Sequence, residues 1–418
     1  MPLPPSARPI AGRAMSDVSG FAFASPDDAV AAVIGRLAAV GNEVVPLTAA
    51  AGRVLAEAVR ADRDSPACDV SSMDGYAVRV AELAMGSLPV RGDARIGQVP
   101  PALPPAAVVK IVTGAPLPDG ADAVVRREDV DESDPAVMTL RIAPDAVRHG
   151  QSIRRRGENL RWGGNVIAAG ARVAPPVVAA LATFGGASVR VHRRVRVAVL
   201  TTGDELLPVD AAPSAWQVRD ANGPALRAVL SAAAWADVAP PRHVPDDPDA
   251  LRRHLADSLA TGDAVVLTGG VSMGDYDYVP RVATELGARV VFHKLPVRPG
   301  KPILAAVGPS GQLIVGLPGN PVSALAGMCR MVGPMLRHLA GFARPVDAPP
   351  TVTLDNADAA AIGLWWWRLV RTEAAGRAAL VETRGSGDAA SAARSDGFVE
   401  LPPGAHGTGP WPIHRWEV

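Results

Sequence analysis

Cysteine and long apolar runs are scarce in this chain, and each scarcity excludes a class of protein. Only 2 of the 418 residues are cysteine, Cys68 and Cys329, and they lie far apart without the spacing of a CxxC or Cys/His metal motif. We therefore expect neither a disulfide framework nor a zinc site, and a reducing cytoplasm as the compartment. No segment approaches the roughly 18 consecutive apolar residues of a membrane span, and residues 1–20 lack the apolar core of a signal peptide. We expect neither membrane insertion nor ordinary secretion.

The chain also lacks an excess of charge of either sign and is poor in aromatic residues. Lys plus Arg and Asp plus Glu both number 42, so the formal net charge is zero, which argues against nucleic acid as a partner. Hydrophobic residues make up 48% and aromatic residues 4%, enough for buried cores without a sign of disorder. The length exceeds what one hydrophobic core serves, so about two to four domains are expected.

Glycine-rich turns are abundant between residues 261 and 321, where three of them each close an apolar strand. Glycine lets backbone amides approach a ligand closely, and a helix that begins just afterwards directs its positive end at the same place. This pattern predicts a site for phosphate or another oxyanion. The turns are Thr268-Gly269-Gly270-Val271-Ser272-Met273-Gly274-Asp275-Tyr276-Asp277, Val297-Arg298-Pro299-Gly300-Lys301-Pro302 and Gly316-Leu317-Pro318-Gly319-Asn320-Pro321.

Hydrophobic periodicity divides the chain into a multidomain α/β and β protein. Ser25 begins a helical segment, and strands alternate with helices from Arg194, which predicts a doubly wound parallel sheet. We expect a tail at 1–24, an interrupted helical domain at 25–61 and 155–193, an inserted β-rich domain at 62–154, an α/β domain at 194–342 and a small β domain at 343–418. The α/β domain is expected to end in one helix over 321–339, and the tract 385–394 is expected to be a flexible loop.

Carboxylates recur at turn positions in this sequence: Asp74, Glu205, Asp246, Asp275 and Asp277. Beside a bound phosphate they would repel it, by about 4 kcal/mol per pair at 4 Å under an effective dielectric constant near 20. A divalent cation removes that conflict, and oxygen-only ligands favour Mg²⁺ over zinc. Helix capping is the alternative interpretation of Asp246 and Asp277 taken singly.

Basic residues bracket the second turn, where Lys294, Arg298 and Lys301 form a local positive cluster in a neutral chain. An anionic substrate would bind there, and a solvated surface is the alternative. Arg154-Arg155-Arg156 is expected to be a solvated face and a domain joint. Trp365-Trp366-Trp367 cannot all face one side of a strand; domain packing is favoured over a ligand-stacking platform or a subunit contact.

Gly270-Val271-Ser272-Met273-Gly274 matches the G-x-S-x-G motif of serine hydrolases, which need a triad acid and then a histidine further along the chain. Four downstream histidines are available, yet none lies in a pattern typical of a triad base: His293, His338, His406 and His414. The glycines before the motif and the aspartates after it favour an anion and metal site, and ester hydrolysis stays an alternative.

The motifs, in their order along the chain, resemble the molybdopterin molybdenumtransferase family, the MoeA and gephyrin E-domain proteins. The resemblance extends from about Ser25 to the C-terminus. Its markers are Ser71-Ser72-Met73-Asp74-Gly75-Tyr76-Ala77, Thr113-Gly114-Ala115-Pro116 with Gly120-Ala121-Asp122-Ala123-Val124-Val125, Arg155-Arg156-Gly157-Glu158, Thr202-Gly203-Asp204-Glu205-Leu206, Gly269-Gly270-Val271-Ser272, Pro299-Gly300-Lys301-Pro302 and Gly316-Leu317-Pro318-Gly319-Asn320-Pro321.

The resemblance implies a molybdopterin-binding α/β domain, a barrel-like C-terminal domain and an elongated homodimer with its cleft between subunits. The implied reaction inserts molybdate into adenylylated molybdopterin with Mg²⁺ and releases AMP. Implied partners beyond the pterin are the molybdopterin adenylyltransferase and apo-molybdoenzymes.

By motif, the resemblance makes Glu205, Asp277, Asp74 and Asp246 the catalytic candidates, with Glu205 and Asp277 engaging the metal. The implied substrate-binding residues are Thr113, Thr202, Gly203, Asp204, Thr268, Gly269, Gly270, Ser272, Lys294, Arg298, Pro299, Gly300, Lys301, Pro318, Gly319, Asn320, Arg368 and Ser391.

The sequence departs from the family pattern at two positions. Asn159 stands where the family usually has Asp after Gly-Glu, and Arg298 stands where Lys is usual. The alternatives that these departures keep open are a paralogue that uses another metallate such as tungstate, and a non-catalytic molybdopterin carrier or scaffold.

Overall fold

The computed structural model describes residues 20–271 and 278–418, and this part of the chain forms two compact units. One unit contains the described residues up to Glu57, together with Ala169–Pro175 and Ser188–Val418. The other contains Ala58–Ala168 and Pro176–Ala187. The candidates Ser272, Asp275 and Asp277 lie outside the described residues. No helix within the described ranges is long and apolar enough to cross a membrane.

The larger unit begins with helix α1 (Pro26–Ile34) and strand β1 (Asn42–Pro46). The Ser25 side chain accepts a hydrogen bond from the Asp28 backbone N–H at 3.1 Å, which satisfies one free donor of the first turn. Pro26 occupies the first turn, where its missing N–H costs nothing. Ala29, Val30 and Val33 repeat at helical spacing and are buried. The predicted helix start is confirmed.

The smaller unit is built from short strands. These are β2 (Val59–Arg60), β3 (Val70–Ser71), β4 (Gly75–Val78), β5 (Ser87–Ala94), β6 (Val108–Ile111), β7 (Ala123–Arg126), β8 (Val130–Asp131), β9 (Val137–Leu140), β10 (Ile153–Arg154) and β11 (Asn165–Ile167). Helix α2 (Pro175–Thr183) contributes its residues from Pro176 onwards. One sheet has the order β7-β4-β6-β5-β9-β8. Tyr76 and Val78 pack on one face and Ala77 on the other, as alternation along a strand requires.

The α/β part of the larger unit follows. Its elements are β12 (Ser188–His192), β13 (Val195–Thr202), β14 (Leu206–Leu207), β15 (Val218–Arg219), α3 (Asn222–Ser231), β16 (Ala236–Val238), β17 (Arg242–Val244), α4 (Pro248–Thr261), β18 (Ala264–Thr268), α5 (Val279–Glu285), β19 (Arg289–His293), β20 (Val297–Arg298), β21 (Leu304–Val307), β22 (Leu313–Leu317), α6 (Pro321–Gly327) and α7 (Gly333–Leu339). A seven-stranded sheet has the order β16-β13-β18-β22-β21-β19, with β17 also paired to β13.

This sheet is buried on both faces, which explains its apolar strands. Along β18, Ala264 and Val266 belong to the core cluster that contains α1, α3 and α7 residues. Val265 and Leu267 belong to the opposite cluster with residues of α4 and α5. A strand covered on both sides has no solvent-facing positions, so its sequence is a continuous apolar run. The predicted doubly wound α/β domain is confirmed, but its sheet is mixed and not fully parallel, because β21 runs antiparallel to both β22 and β19.

The helix predicted over 321–339 is interrupted. Between α6 and α7 lies a π-helical segment, Met328–Val332. Pro334 has no N–H to donate to the Arg330 carbonyl, so an unbroken α-helical ladder cannot form there. Arg330 lies in this wider turn with 5% of its surface exposed.

The C-terminal strands form a small barrel. They are β23 (Thr351–Leu354), β24 (Trp365–Thr372), β25 (Arg377–Leu380), β26 (Gly397–Leu401) and β27 (Trp411–Arg415). The order β24-β25-β23-β27-β26 closes because β26 also pairs with β24. Strand β20 adds to the start of β24 in parallel. The tract expected to be a loop at 385–394 contains helix α8 (Ala389–Ala393), because the Asp388 side chain accepts a hydrogen bond from the Ser391 backbone N–H and caps it.

The three consecutive tryptophans take different roles along β24. Trp367 is 2% exposed, and its indole N–H donates to Glu400 at 2.7 Å. Trp365 donates to the Ala24 carbonyl at 2.9 Å. Trp366 lies beneath the guanidinium of Arg368. The domain-packing interpretation is confirmed for Trp367, because it belongs to the core cluster that also contains residues of the α/β sheet and its helices.

A buried ion pair joins the π-helical segment to the barrel. Arg330 donates to both oxygens of Glu400, at 2.8 and 3.0 Å, and also to Asp27 at 2.6 Å. Both partners of the Arg330–Glu400 pair have 6% of their side chains exposed. Water therefore could not solvate either charge if the other were removed.

We expect Arg330→Ala to lower the free energy of unfolding by about 3–5 kcal/mol, because the Glu400 carboxylate would stay buried without a counter-charge. Denaturation in guanidinium chloride measures this loss. The control is Arg371→Ala, an exposed barrel arginine whose removal is expected to cost no more than about 0.5 kcal/mol. A loss below about 1 kcal/mol for Arg330→Ala contradicts the assigned role.

Candidate functional site

The glycine-rich turns of the sequence lie at one edge of the central sheet. Strands β13, β18 and β22 run parallel, with Thr201 opposite Thr268 and Thr268 opposite Leu317. Their carboxyl ends therefore lie side by side, and the turns that follow them share one edge. In open α/β sheets this edge is where ligands bind.

Close backbone approach at this edge requires glycine. The Gly269 N–H donates to the Leu317 carbonyl at 3.1 Å, and the Gly269 φ of 87° suits glycine. A Cβ atom on Gly269 would lie 2.5 Å from the Thr202 carbonyl oxygen, and one on Gly319 would lie 3.9 Å from the Gly269 Cα. Asn222 holds this arrangement because its side-chain amide donates to the Gly319 carbonyl at 2.7 Å.

An acidic pair occupies the same edge. The Asp204 N–H donates to the Asp246 carboxylate at 3.3 Å, and the Asp246 N–H donates to the Asp204 carboxylate at 3.1 Å. The Glu205 carboxylate lies over Gly203, where an added Cβ would be 2.4 Å from Glu205 Oε2. A ring nitrogen of His243 lies 2.8 Å from the Gly203 carbonyl oxygen.

The environment of Asp246 disfavours its negative charge. Burial raises the pKa of the Asp246 carboxyl, and the negative charges of Asp204 and Glu205 raise it further. The hydrogen bond from the Asp204 backbone opposes this shift. Helix capping is the wrong interpretation of Asp246, because Asp247 caps α4 by accepting a hydrogen bond from the Ala250 N–H at 2.6 Å. The Asp246 carboxylate is thus not used as a helix cap, and beyond the hydrogen bond from Asp204 it can accept a ligand.

A cavity of about 910 Å³ adjoins the loop that follows β22. Its walls are the Val297–Pro302 turn, the loop and first turn of α6, and one side of the barrel. Four cationic and two acidic side chains line it: Arg298, Lys301, Arg368, Arg384, Asp358 and Glu382. Pro299, Gly300, Pro318 and Asn320 also belong to the wall.

Arg368 is held in the cavity wall from two directions. Its guanidinium donates to both oxygens of Asp358, at 2.7 and 2.6 Å. The guanidinium carbon lies 4.3 Å from the centre of the Trp366 ring, a cation–π distance. Arg298 lies opposite Trp366 in the β20–β24 pairing, so strand register brings the second turn beside the barrel.

Other predicted residues have different surroundings. Ser391 is fully buried, and its hydroxyl donates to the Glu382 carbonyl at 3.0 Å, so it does not face the cavity. Lys294 adopts a φ of 76° at the end of β19 and is not part of the cavity wall. Thr268 is buried, and its carbonyl accepts a hydrogen bond from the Thr202 hydroxyl at 3.4 Å.

Asp74 and Thr113 belong to the smaller unit. The Asp74 carboxylate accepts hydrogen bonds from the Thr113 N–H at 2.7 Å and from its hydroxyl at 2.8 Å. These bonds lower the pKa of Asp74. Asn159, in the same unit, accepts a hydrogen bond from Arg154 and donates one to Ser65.

Sequence reasoning missed four residues at or beside the site: Asp220, Asn222, Arg384 and Ser386. Asp220 follows a strand and accepts hydrogen bonds from the Gly223 N–H at 2.9 Å and the Thr201 hydroxyl at 3.0 Å. The position of its carboxylate between a strand and the start of a helix is a sequence pattern that could have indicated Asp220 as a site residue. Arg384 and Ser386 reach the cavity only because the barrel packs there, and no local pattern indicates them.

Two family models match adjoining parts of the chain. The MoeA N-terminal region (domain I and II) matches residues 24–185, and a probable molybdopterin binding domain matches residues 198–338.

Similar proteins have been named in several bacteria. The chain is 35% identical to a molybdopterin molybdenumtransferase of Nostoc sp., over 72% of this chain and 70% of the relative. It is 34% identical to a protein of the same name from Haemophilus influenzae, over 72% of this chain and 73% of the relative.

Solved structures agree with these matches. A molybdopterin biosynthesis MoeA protein from Pyrococcus horikoshii superimposes with a TM-score of 0.76 at 27% identity, and the match covers 94% of this chain and 99% of that structure. Sequence relatives, family models and fold together show that this chain belongs to the molybdopterin molybdenumtransferase (MoeA) family.

Proposed function

We propose that this chain inserts molybdate into adenylylated molybdopterin and releases AMP. The observation that carries the proposal is the position of the loop after β22, which starts at the sheet edge that also carries the acidic residues and then lines the cationic cavity. Gly319 lies near Gly269 at that edge, while Pro318 and Asn320 line the cavity. A substrate with several anionic groups, one of which binds a metal ion, fits such an arrangement.

The cavity supplies the anion-binding part of the site. Arg298 and Lys301 lie on its wall without a carboxylate partner among the ion pairs of the described residues, so their charge is available to a ligand. Arginine offers a planar fork to an oxyanion, and lysine offers a compact charge. Molybdate and the adenylate phosphate are the oxyanions of the proposed reaction.

The acidic edge fits a magnesium ion. Mg²⁺ commonly takes one or two carboxylates and completes its shell with phosphate oxygens and water. Asp204 and Asp246 supply such a pair, with Glu205 nearby. The described residues contain no group of three or more Asp, Glu, His or Cys side chains placed to hold a metal ion, so substrate oxygens and water would complete the shell. Burial, and to a lesser extent the negative charges of Asp204 and Glu205, raise the pKa of Asp246, and a bound cation would favour its charged form. Bound Mg²⁺ would polarise phosphate oxygens and offset the charge of departing AMP.

Each residue then has a task that its position allows. Asp204 and Asp246 hold the cation, and Asn222 keeps the Gly319 backbone against the sheet edge. Arg298, Lys301 and Arg368 orient the oxyanions. A metal role for Asp277 and substrate roles for Asp74 and Thr113 stay predictions from the family resemblance, as do the homodimer, the cytoplasmic location and the four-domain boundaries.

The other candidate functions are less well supported. The named relatives are transferases, which disfavours both a non-catalytic carrier and a serine hydrolase. Asn159, the departure that suggested a carrier, bonds Arg154 and Ser65 and so has a structural task in its own loop.

Asp246→Asn is expected to lower the rate of AMP release from adenylylated molybdopterin by about 10²–10³-fold, because it removes a charge from the acidic pair. The assay measures AMP in the presence of molybdate and Mg²⁺. Asp249→Asn is the matched control, since this exposed aspartate lies three residues away in α4. Pterin binding without any AMP release by the unmodified protein would instead indicate a carrier.

Thermal unfolding measures how much the charge of Asp246 destabilises the fold, independently of activity. A carboxyl whose pKa is raised above its unfolded value of 3.8 destabilises the fold increasingly as pH rises through the folded pKa. Asp246→Asn is therefore expected to raise the melting temperature near pH 7 and to leave it unchanged near pH 3, where the carboxyl is neutral in both states.

Melting temperatures measured with and without Mg²⁺ test whether Asp246 binds the cation. Mg²⁺ should raise the melting temperature of the unmodified protein more than that of Asp246→Asn, because the cation offsets the charge that the substitution removes. Equal stabilisation of both proteins would rule out Asp246 as a ligand.

Arg298→Ala and Lys301→Ala are each expected to raise the KM for molybdate by about tenfold or more, since charged hydrogen bonds contribute about 1.5–3 kcal/mol. Initial rates of AMP release at varied molybdate measure the effect. Arg371→Ala, which lies on the barrel outside the cavity wall, is expected to leave the KM unchanged. An unchanged KM in both cavity variants would contradict molybdate binding there.

A further inference from the structure

One arginine of the cavity is assigned no role by the family motifs. Arg384 lies in the barrel loop between β25 and α8, and Thr383, Arg384, Gly385 and Ser386 all line the cavity. This loop and the Val297–Pro302 turn both border the cavity in which the anion is proposed to bind.

The loop is anchored to the start of α6. The Val322 N–H donates to the Ser386 carbonyl at 3.0 Å, and the Asn320 side chain donates to the Ser386 hydroxyl at 2.8 Å. Both bonds join the barrel to the first turn of the helix that closes the α/β sheet. The loop is therefore held at the cavity by a segment that itself forms part of the cavity wall.

The backbone on either side of Arg384 is also restrained. The Arg384 N–H donates to Asp388 at 3.2 Å, and Asp388 caps α8. The Gly385 N–H donates to the Thr383 hydroxyl at 3.2 Å, and that hydroxyl donates to the Gly385 carbonyl at 3.1 Å. A side chain on a backbone held in this way loses less freedom when it binds a ligand.

The charge of Arg384 is not neutralised in the same way as that of its neighbours. Arg368 is paired with Asp358, and Arg377 is paired with Asp355. Within residues 20–271 and 278–418, Arg384 belongs to none of the ion pairs with a carboxylate. The cavity wall carries four cationic side chains against two acidic ones, an excess of two positive charges. A doubly charged oxyanion balances that excess.

We propose that Arg384 is a further anion-binding residue, which the barrel contributes opposite Arg298 and Lys301. Its ligand is a tetrahedral oxyanion of charge about −2, either the metallate or the phosphate of the released AMP. The inference rests on the proposed function and extends it, because it makes the barrel loop a part of the substrate site. The planar guanidinium fork would bind two oxygens of the anion at once.

Equilibrium titrations of the full-length protein with sodium molybdate and, separately, with AMP test the assignment. Tryptophan fluorescence can follow both, since Trp366 and Trp367 line the cavity, and calorimetry checks the affinity. Arg384→Gln is expected to weaken binding of at least one ligand by about tenfold, and Arg384→Lys is expected to retain part of the affinity. Arg371→Ala serves as the matched control, because it removes an arginine of the barrel outside the cavity wall.

The two ligands distinguish the sources of the anion. A loss confined to molybdate assigns Arg384 to the metallate, and a loss confined to AMP assigns it to the phosphate. Unchanged affinity for both ligands in Arg384→Gln, with weakened molybdate binding in Arg298→Ala, overturns this inference and leaves the proposed function intact. Unchanged affinity in Arg298→Ala, Lys301→Ala and Arg384→Gln overturns the anion cavity itself. Melting curves of each variant verify folding, which an exposed position such as Arg384 should not perturb.

Discussion

The buried ion pair between Arg330 and Glu400 is the interaction on which the cationic cavity depends. It holds the barrel against the interrupted helix of the α/β domain, and Glu400 also accepts the indole N–H of Trp367, a residue of the cavity wall. Removing two charges from water costs free energy, and their mutual attraction offsets that cost only when the geometry of the ion pair is good. The pair therefore restricts the barrel to one position, and with it the strand register that brings Arg298 beside Trp366.

The site combines two electrostatic environments that would each be unfavourable without a ligand. At the sheet edge, partial burial raises the pKa of Asp246, and the like charges of Asp204 and Glu205 raise it further. In the cavity, cationic side chains outnumber acidic ones. A cation at the first and an oxyanion at the second would relieve both. The loop containing Gly319 and Asn320 connects them, so a substrate with a metal-bound phosphate and a second anionic group fits both.

Local sequence rules failed at particular places and for physical reasons. The helix expected over 321–339 contains a π-helical segment because Pro334 cannot donate to the Arg330 carbonyl. Asp246 looked like a helix cap, yet Asp247 occupies that position. Ser391 matched a family position but is buried under its own helix cap, whereas Ser386, five residues earlier, lines the cavity. Ser386 lies in the loop before α8, and the start of so short a helix cannot be located from a Gly-, Ser- and Ala-rich segment.

The sequence by itself determined the family, the doubly wound sheet and the glycine-rich turns at the ends of its strands. These features follow from local periodicity and from backbone conformations that only glycine adopts, as at Gly269. Only the tertiary structure decided that Arg298, Lys301, Arg368 and Arg384 line one cavity, and that Asp204 and Asp246 bond to each other. Those contacts join residues up to 86 positions apart. They arise from strand register and from the closure of the barrel, which no local sequence pattern encodes.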